Sequence, residues 1–376
     1  MIVIAAHAVF LRDKDIYGPP HAVSLYLNKK KRDHIFIKHR LFTDKNTSIV
    51  ERYEKGKLVS KKEVPVVSKP YIRRLLSEVA LNRRIIKSGD KPELYIGVNP
   101  INSAAGALMK LQGEIQHNVY FCADFAIKRF DNPAMNRFYH MLDWISMKGS
   151  EKTWSISKRI VQNRDRRGLA KHKNLLLPNA PFFDDIKRRP FEKIHPHDLV
   201  LVSALEPGIA FETVIETVSK LSKKFKDIRL ILIGAGSQEG PLKKLVKEQK
   251  LEKRILFKGP LPHDDMFDIL TTCGVGIALY DVADPNHFRY FSDPMKVRDY
   301  LASGLPAIVS GNSAIGEEIR RKKAGFVVQA NGEDLERALV TLMSHKKTHQ
   351  TFRENAIKLA KTYDTYALID TYIKTA

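Results

Sequence analysis

Two stretches of this chain carry residue types suited to binding phosphorylated ligands. The first is Gly234-Ala235-Gly236-Ser237, directly after the apolar run 229–233. Glycines at a strand-to-helix turn let backbone N–H groups approach a phosphate or a sugar closely. A lone Gly-x-Gly is also all that a plain tight turn needs, and the full dinucleotide pattern with its acidic ribose partner is missing. The second stretch, residues 290–306, reads YFSDPMKVRDYLASGLP. Ser292 or Asp293 is placed to cap a helix, with Pro294 in its first turn. The start of such a helix has unpaired N–H groups and the positive end of the dipole. Lys296 in the same turn adds charge, and a start of this kind holds a diphosphate without a metal. Asp299, one turn on, is a carboxylate able to accept two hydrogen bonds from a ribose diol. The plainer alternative is an exposed helix whose Asp and Lys are solvated.

These residues need elements to hold them. Short apolar runs at 199–203, 229–233, 255–257, 274–279, 307–309 and 326–328 read as strands. They alternate with helical patterns at 212–224, 242–249, 264–272, 295–302, 315–321 and 334–344. This alternation predicts a parallel sheet covered on both faces, with ligands at the carboxyl ends of its strands. The first half repeats the theme less cleanly, with strands at 2–6, 34–37, 94–98, 118–121 and 174–177 and helices near 72–86, 102–111 and 136–147. Residues 43–69 are polar, Lys-rich and poorly periodic, which predicts a hairpin or a loop. Residues 184–197, rich in Pro, Lys and Arg, read as a linker. Helices are expected at 350–363 and 366–375. The architecture expected is α/β: two doubly wound Rossmann-like domains facing across a cleft, 1–188 and 189–360, with the final helix 361–376 packing back on the first.

The 376 residues are 43% hydrophobic, which excludes a mainly disordered chain. Two cysteines, Cys122 and Cys273, exclude a disulfide scaffold and fit a reducing compartment. The apolar opening 1–11 is broken by His7, is too short to span a bilayer and lacks the basic start of a signal peptide. A cytoplasmic protein is therefore expected. The net charge of +22 is unevenly spread: residues 1–190 hold 37 Lys and Arg against 18 Asp and Glu, the remainder 27 against 24. A strongly basic half points to an anionic partner.

The run DPMKVRDYLASGLPAIVS resembles the signature of group 1, family 4-like glycosyltransferases, retaining enzymes of the GT-B fold that use nucleotide-sugar donors. Their pattern is met at Pro294, Lys296, Tyr300, Leu301, Ala302, Gly304 and Pro306, with Asp299 in place of the usual Glu. Residues 204–207, 211–212, 230–236, 257–259, 276–280 and 325–328 resemble further segments of the donor domain, and 155–157 and 177–180 the end of the acceptor domain. By position, the resemblance assigns Asp299 to the donor ribose. It assigns Gly234 and Gly236 to the donor pocket, Gly259 and Leu261 to the base, and Ser292, Asp293 and Pro294 to the diphosphate and sugar. Gly18, in Gly18-Pro19-Pro20 before a helix, corresponds to a glycine loop facing the donor from the other domain. Asp124 corresponds to an acidic position facing the acceptor, with a helix cap as its plainer role. Tyr280 and Asn286 are candidate sugar contacts. The sequence departs from the family where an Arg and a Lys usually neutralise the diphosphate, since residues 203–210 have neither. Lys296, Arg289 and Lys258 are the candidates to replace them.

The resemblance implies transfer of a sugar, with retention, from a nucleoside-diphosphate sugar to a glycan or lipid-linked acceptor, in cell-envelope or exopolysaccharide assembly. The leaving phosphate takes the acceptor proton, and no cofactor or metal is required. Arg73, Arg74, Arg83 and Arg84, interleaved with apolar residues on 72–87, are candidates for docking on an anionic membrane at its inner face. Two other readings stand beside this one. A degenerate glycosyltransferase-like partner protein is favoured by the missing Arg and Lys. A basic nucleic-acid-binding protein is disfavoured, because no recognition motif accompanies the charge.

Overall fold

The computed structural model describes all residues except 12–13, 42–44, 281–287 and 376. It divides into two units, each with its own sheet. The first comprises 1–179 with the short segment ending at Ser292 and the chain from Tyr366 onward; the second comprises 180–285 and 293–365.

In the first unit the strands are β1 (Ile2–Leu11), β2 (Lys14–Asp15), β3 (His34–Leu41), β4 (Thr47–Glu54), β5 (Lys57–Pro65), β6 (Leu94–Val98), β7 (His117–Cys122), β8 (Lys152–Ser155) and β9 (Asn174–Leu176). They form one sheet in the order β5-β4-β3-β1-β6-β7-β8-β9, with β2 folded back on β1. The helices are α1 (Pro19–Lys29), α2 (Tyr71–Lys87), α3 (Asn99–Leu111), α4 (Pro133–Gly149) and α5 (Lys158–Arg166). Local chemistry sets their starts. The Asn132 side chain accepts from the N–H groups of Ala134 and Met135 at α4, and Ser157 Oγ accepts from Ile160 N–H at α5.

The sheet is parallel from β3 through β9, but β4 and β5 form an antiparallel hairpin on its edge. The polar stretch 43–69 thus contains a hairpin. Its two-residue turn Lys55-Gly56 has φ of 48° and 77°, the geometry that matches strand twist. The core between β1, β3, α2 and α3 is made of Val3, Ala5, Ile35, Ile37, Tyr95 and Met109 with their neighbours.

The second unit holds β10 (His195–Val202), α6 (Phe211–Leu221), β11 (Arg229–Ile233), α7 (Glu239–Glu248), β12 (Ile255–Phe257), α8 (His263–Leu270) and β13 (Cys273–Ala278). After α9 (Phe288–Phe291), which belongs to the first unit, come α10 (Met295–Ser303), β14 (Ala307–Ser310), α11 (Gly316–Lys322), β15 (Gly325–Val328), α12 (Gly332–Ser344) and α13 (Lys346–Lys361). The six strands are all parallel, in the order β12-β11-β10-β13-β14-β15. Alternate residues feed two cores: Leu199, Leu201, Leu230 and Leu232 face one side, and Val200, Val202, Ile231 and Ile233 the other. Burial on both faces is why these strands read as unbroken apolar runs.

The segment 184–197 is not a free linker. Ile186 and Ile194 are buried, and the Arg188 side chain donates to the carbonyls of Ala302 and Phe183. The unit boundary accordingly falls between Asn179 and Ala180, earlier than the expected 188. Residues 361–365 stay with the second unit, where Thr365 Oγ1 donates to Ala180 O. The last helix, α14 (Thr365–Lys374), lies against α1: Tyr26 Oη donates to Asp370 at 2.7 Å, and Tyr372 Oη donates to Leu176 O at 2.9 Å.

Candidate functional site

In the second unit the strand order reverses between β10 and β13, so the crevice outside their carboxyl ends is where a doubly wound sheet takes a ligand. Helix α10 is fixed at this point by Tyr300. Its hydroxyl oxygen accepts from Val202 N–H at 2.7 Å, and its O–H donates to Ile277 O at 3.3 Å. One side chain thereby ties the last residue of β10 to β13. The ring lies over Gly276, where a Cβ would stand 2.4 Å from it, so β13 needs glycine there.

Asp299 precedes Tyr300 and is fully buried. Neither carboxylate oxygen has a hydrogen-bond partner, and the nearest cation is Lys296 Nζ, 3.6 Å from Oδ2. Burial pushes the Asp299 carboxyl from its ordinary value near 3.8 up to about 6, against the opposing pull of Lys296. A buried carboxylate without hydrogen-bond partners is costly unless a ligand completes its hydrogen bonds. Lys296 Nζ also lies 4.0 Å from Met266 Sδ. Burial together with the Lys296 charge holds His263 below the ordinary histidine range, so His263 is a further neighbour of this lysine.

The start of α10 departs from the expectation. Pro294 occupies the cap position without a side-chain bond. Asp293 does not cap; its carboxylate is buried against the Arg298 guanidinium, with Arg298 Nη2 2.9 Å from Oδ1. Ser292 does not cap either: its hydroxyl donates to Arg289 O, and both residues belong to the first unit. The reason is the competing charge: the Arg298 guanidinium takes both oxygens of the Asp293 carboxylate.

The glycine turn after β11 packs against residues 203–206. A Cβ on Gly234 would meet Ser203 O at 1.8 Å and one on Gly236 would meet Leu205 O at 2.3 Å. Gly234 N–H donates to Gly259 O, and the Glu206 carboxylate accepts from Ser237 N–H and from its hydroxyl. The turn therefore serves the close approach of two loops, and the Glu206 carboxylate is taken up by Ser237. Gly259, with φ of 66°, Lys258 and Leu261 follow β12, and Tyr280 follows β13, its N–H donating to Ser310 Oγ at 3.2 Å. So Gly234 and Gly236 follow β11, Lys258, Gly259 and Leu261 follow β12 and Tyr280 follows β13, while Pro294, Lys296 and Asp299 belong to the cap and body of α10 in the same unit. Asn286 lies outside the described residues.

Gly18, Asp124 and Arg289 belong to the first unit. Gly18 precedes α1, and its N–H donates to His21 Nδ1 at 3.1 Å; His21 in turn meets Asp15. Asp124 follows β7 and is ion-paired to Arg129. Of the arginines on α2, Arg74 bonds Glu78 and Arg40 O, and Arg83 bonds Glu114, so these two serve the unit itself. Arg73 and Arg84 are exposed.

Sequence reasoning missed the Tyr300 brace, the Asp293–Arg298 pair and the Glu206–Ser237 contact. The one signal available was the tyrosine within the motif itself, flanked by Asp299.

Residues 183–359 match the family described as Glycosyl transferases group 1. Over 143 residues, 38% of this chain, 28% are identical to chitobiosyldiphosphodolichol beta-mannosyltransferase of Eremothecium gossypii, and over 177 residues, 46% of this chain, 25% are identical to poly(glycerol-phosphate) alpha-glucosyltransferase of Bacillus subtilis. These matches span 29% and 24% of the two relatives, so the chain covers less than a third of either. Among solved structures, Anabaena HepE in complex with UDP superposes with a TM-score of 0.68 at 13% identity, covering 100% of this chain and 98% of that one. WaaG, a glycosyltransferase involved in lipopolysaccharide biosynthesis, gives 0.66 at 13% identity, covering 99% and 98%. At such identities these likenesses speak for the fold, which is GT-B. With this fold and the match over 183–359, that stretch of the chain belongs to the group 1 glycosyl transferases.

Proposed function

We propose that the protein transfers a sugar from a nucleoside-diphosphate donor to a glycan or lipid-linked acceptor, with retention at the anomeric carbon, in the assembly of a cell-surface polysaccharide. The second unit takes the donor and the first the acceptor. The observation that carries this reading is Asp299: fully buried, at the switch point, with both oxygens unbonded. A ribose diol supplies the two hydrogen bonds that this carboxylate lacks. Lys296, released from its place 3.6 Å from Asp299, turns to the diphosphate together with the first N–H groups of α10. In the transfer, the bond from the anomeric carbon to the leaving phosphate breaks and the bond to the acceptor oxygen forms on the same face. The acceptor proton passes to the departing phosphate oxygen. No divalent ion is invoked, since Lys296 and the helix start stabilise the developing charge.

The relatives support a sugar-transfer reading but differ in the linkage they are named for, one beta and one alpha. A second reading, nucleotide binding without transfer, is favoured by Glu206, which stands in a loop that in the family usually carries cations. A thermal-shift screen against UDP, GDP and their sugar conjugates separates the possibilities. A ligand at 100 times its dissociation constant adds about 2.7 kcal/mol of stability. A selective shift abolished in Asp299→Ala supports the donor site. Product formation that survives a chelator supports the metal-free reaction, and the anomeric configuration of the product tests retention. Binding without product points to the second reading; no shift with any nucleotide overturns the proposal.

A further inference from the structure

Every large hydrophobic side chain exposed among the described residues lies in the first unit, between Ile16 and Trp144; the second unit has none. The same unit carries the excess of positive charge. On α4, Arg137, Met141, Trp144 and Lys148 are exposed at helical spacing, so they share one face. On α2, Ile72, Leu76 and Ala80 form an exposed stripe beside Arg73 and Arg84. Both helices pack against α3. The Arg129 guanidinium acts electrostatically on Tyr71 at the start of α2, and the chain around it is pinned to α4, where Asn136 Nδ2 donates to Ile127 O. Ile127 is itself exposed.

The acids of these helices strengthen the pattern. Each helix has a single carboxylate, and both are turned inward. Glu78 of α2 is buried on His7 and Arg74, and Asp143 of α4 is buried on Arg164 and Arg167. The outer faces therefore combine apolar side chains with cations and carry no acid. An aqueous polyanion has no use for Trp144, Met141, Leu76 and Ile72, and a second copy of the chain would bring like charges together. A surface that accepts apolar side chains beneath a layer of negative charge fits both features.

We infer that the outer faces of α2 and α4 are a docking surface for an anionic lipid bilayer, with Trp144, Met141, Ile72 and Leu76 seated among the headgroups and Arg73, Arg84 and Arg137 on their charge. No helix among the described residues is long and apolar enough to cross a membrane, so this contact lies at the interface. The surface differs from the four arginines singled out in the sequence, because Arg74 and Arg83 are spent within the unit. The inference does not rest on the donor site.

The two tryptophans give the test. Trp144 is 53% exposed and Trp154 is fully buried. The full chain is titrated with phosphatidylcholine vesicles, with and without phosphatidylglycerol. The inference expects a blue shift of tryptophan emission with the anionic vesicles only, absent in Trp144→Phe, and weakened by salt. It also expects the exposed-site double variant Met141→Ser, Trp144→Ser to sediment with those vesicles at least about tenfold more weakly, with unchanged thermal unfolding and an unchanged nucleotide shift. Equal sedimentation of parent and double variant overturns the inference. So does binding to neutral vesicles at the same strength, displacement by soluble polyphosphate with no emission shift, or a concentration-dependent dimer that takes up no lipid.

Discussion

Replacing Asp299 by Asn separates the stability of the second unit from its ligand. A carboxyl raised by burial from near 3.8 to about 6 costs the folded state about 3 kcal/mol at neutral pH, at 1.36 kcal/mol for each tenfold change in proton affinity. The folded state holds this proton more tightly than the unfolded chain. The cost is therefore absent below about pH 3.8 and is complete once the pH has risen through about 6. Asn keeps the shape and removes the titration. We expect Asp299→Asn to be up to about 3 kcal/mol more stable than the parent at pH 7, with a gap that closes toward pH 4. Urea unfolding followed by circular dichroism at both pH values measures it. The same variant should lose nucleotide affinity, because each hydrogen bond to a charged group contributes about 1.5–3 kcal/mol. In the parent, affinity should fall about tenfold for each pH unit below 6, as the acceptor carboxylate is protonated. A variant less stable than the parent at pH 7 would refute the claim that this carboxylate lacks hydrogen-bond partners. A pH-independent gap would refute the assigned titration.

The other expectations concern the supports of the two units. Tyr300→Phe leaves Val202 N–H buried and unpaired, and should cost about 1–3 kcal/mol in unfolding experiments while weakening nucleotide binding. Gly276→Ala forces a methyl to within 2.4 Å of the Tyr300 ring, and should cost about 1–3 kcal/mol unless Tyr300 is shortened with it. Asp143→Ala strips Arg164, whose two terminal nitrogens stand 2.6 Å from the carboxylate, of its buried counter-charge; about 3–5 kcal/mol should be lost, read by the emission of the buried Trp154.

The second sheet was readable from residue order because its strands are buried on both faces and its helices follow them at regular intervals. In the first sheet, β5 is exposed almost throughout and carries no apolar alternation, so only the turn at Lys55-Gly56 distinguishes a hairpin from a loop. The short β8, Lys-Thr-Trp-Ser, is buried despite its polar composition and gave no strand signal. At the site, helix α10 was legible because Pro294 marks its start and Gly304, with φ of 86°, its end; the ribose role of Asp299 is what the family resemblance implies. The partners of Asp293 and Glu206 were not legible. Residues five apart do not share a helix face, and Glu206 meets Ser237 across 31 positions of chain.

Neither unit is one uninterrupted piece of chain, and this bears on how the protein is made. The second unit is complete once residue 365 has been synthesised. The first began earlier, yet Tyr26 on α1 waits for Asp370, 344 positions later. At roughly 5–20 residues per second, a ribosome needs roughly 20–70 seconds to deliver that partner. During that interval the face of α1 that α14 later covers is open to chaperones and to other nascent chains. The half of the protein that is translated first is thus the last to close.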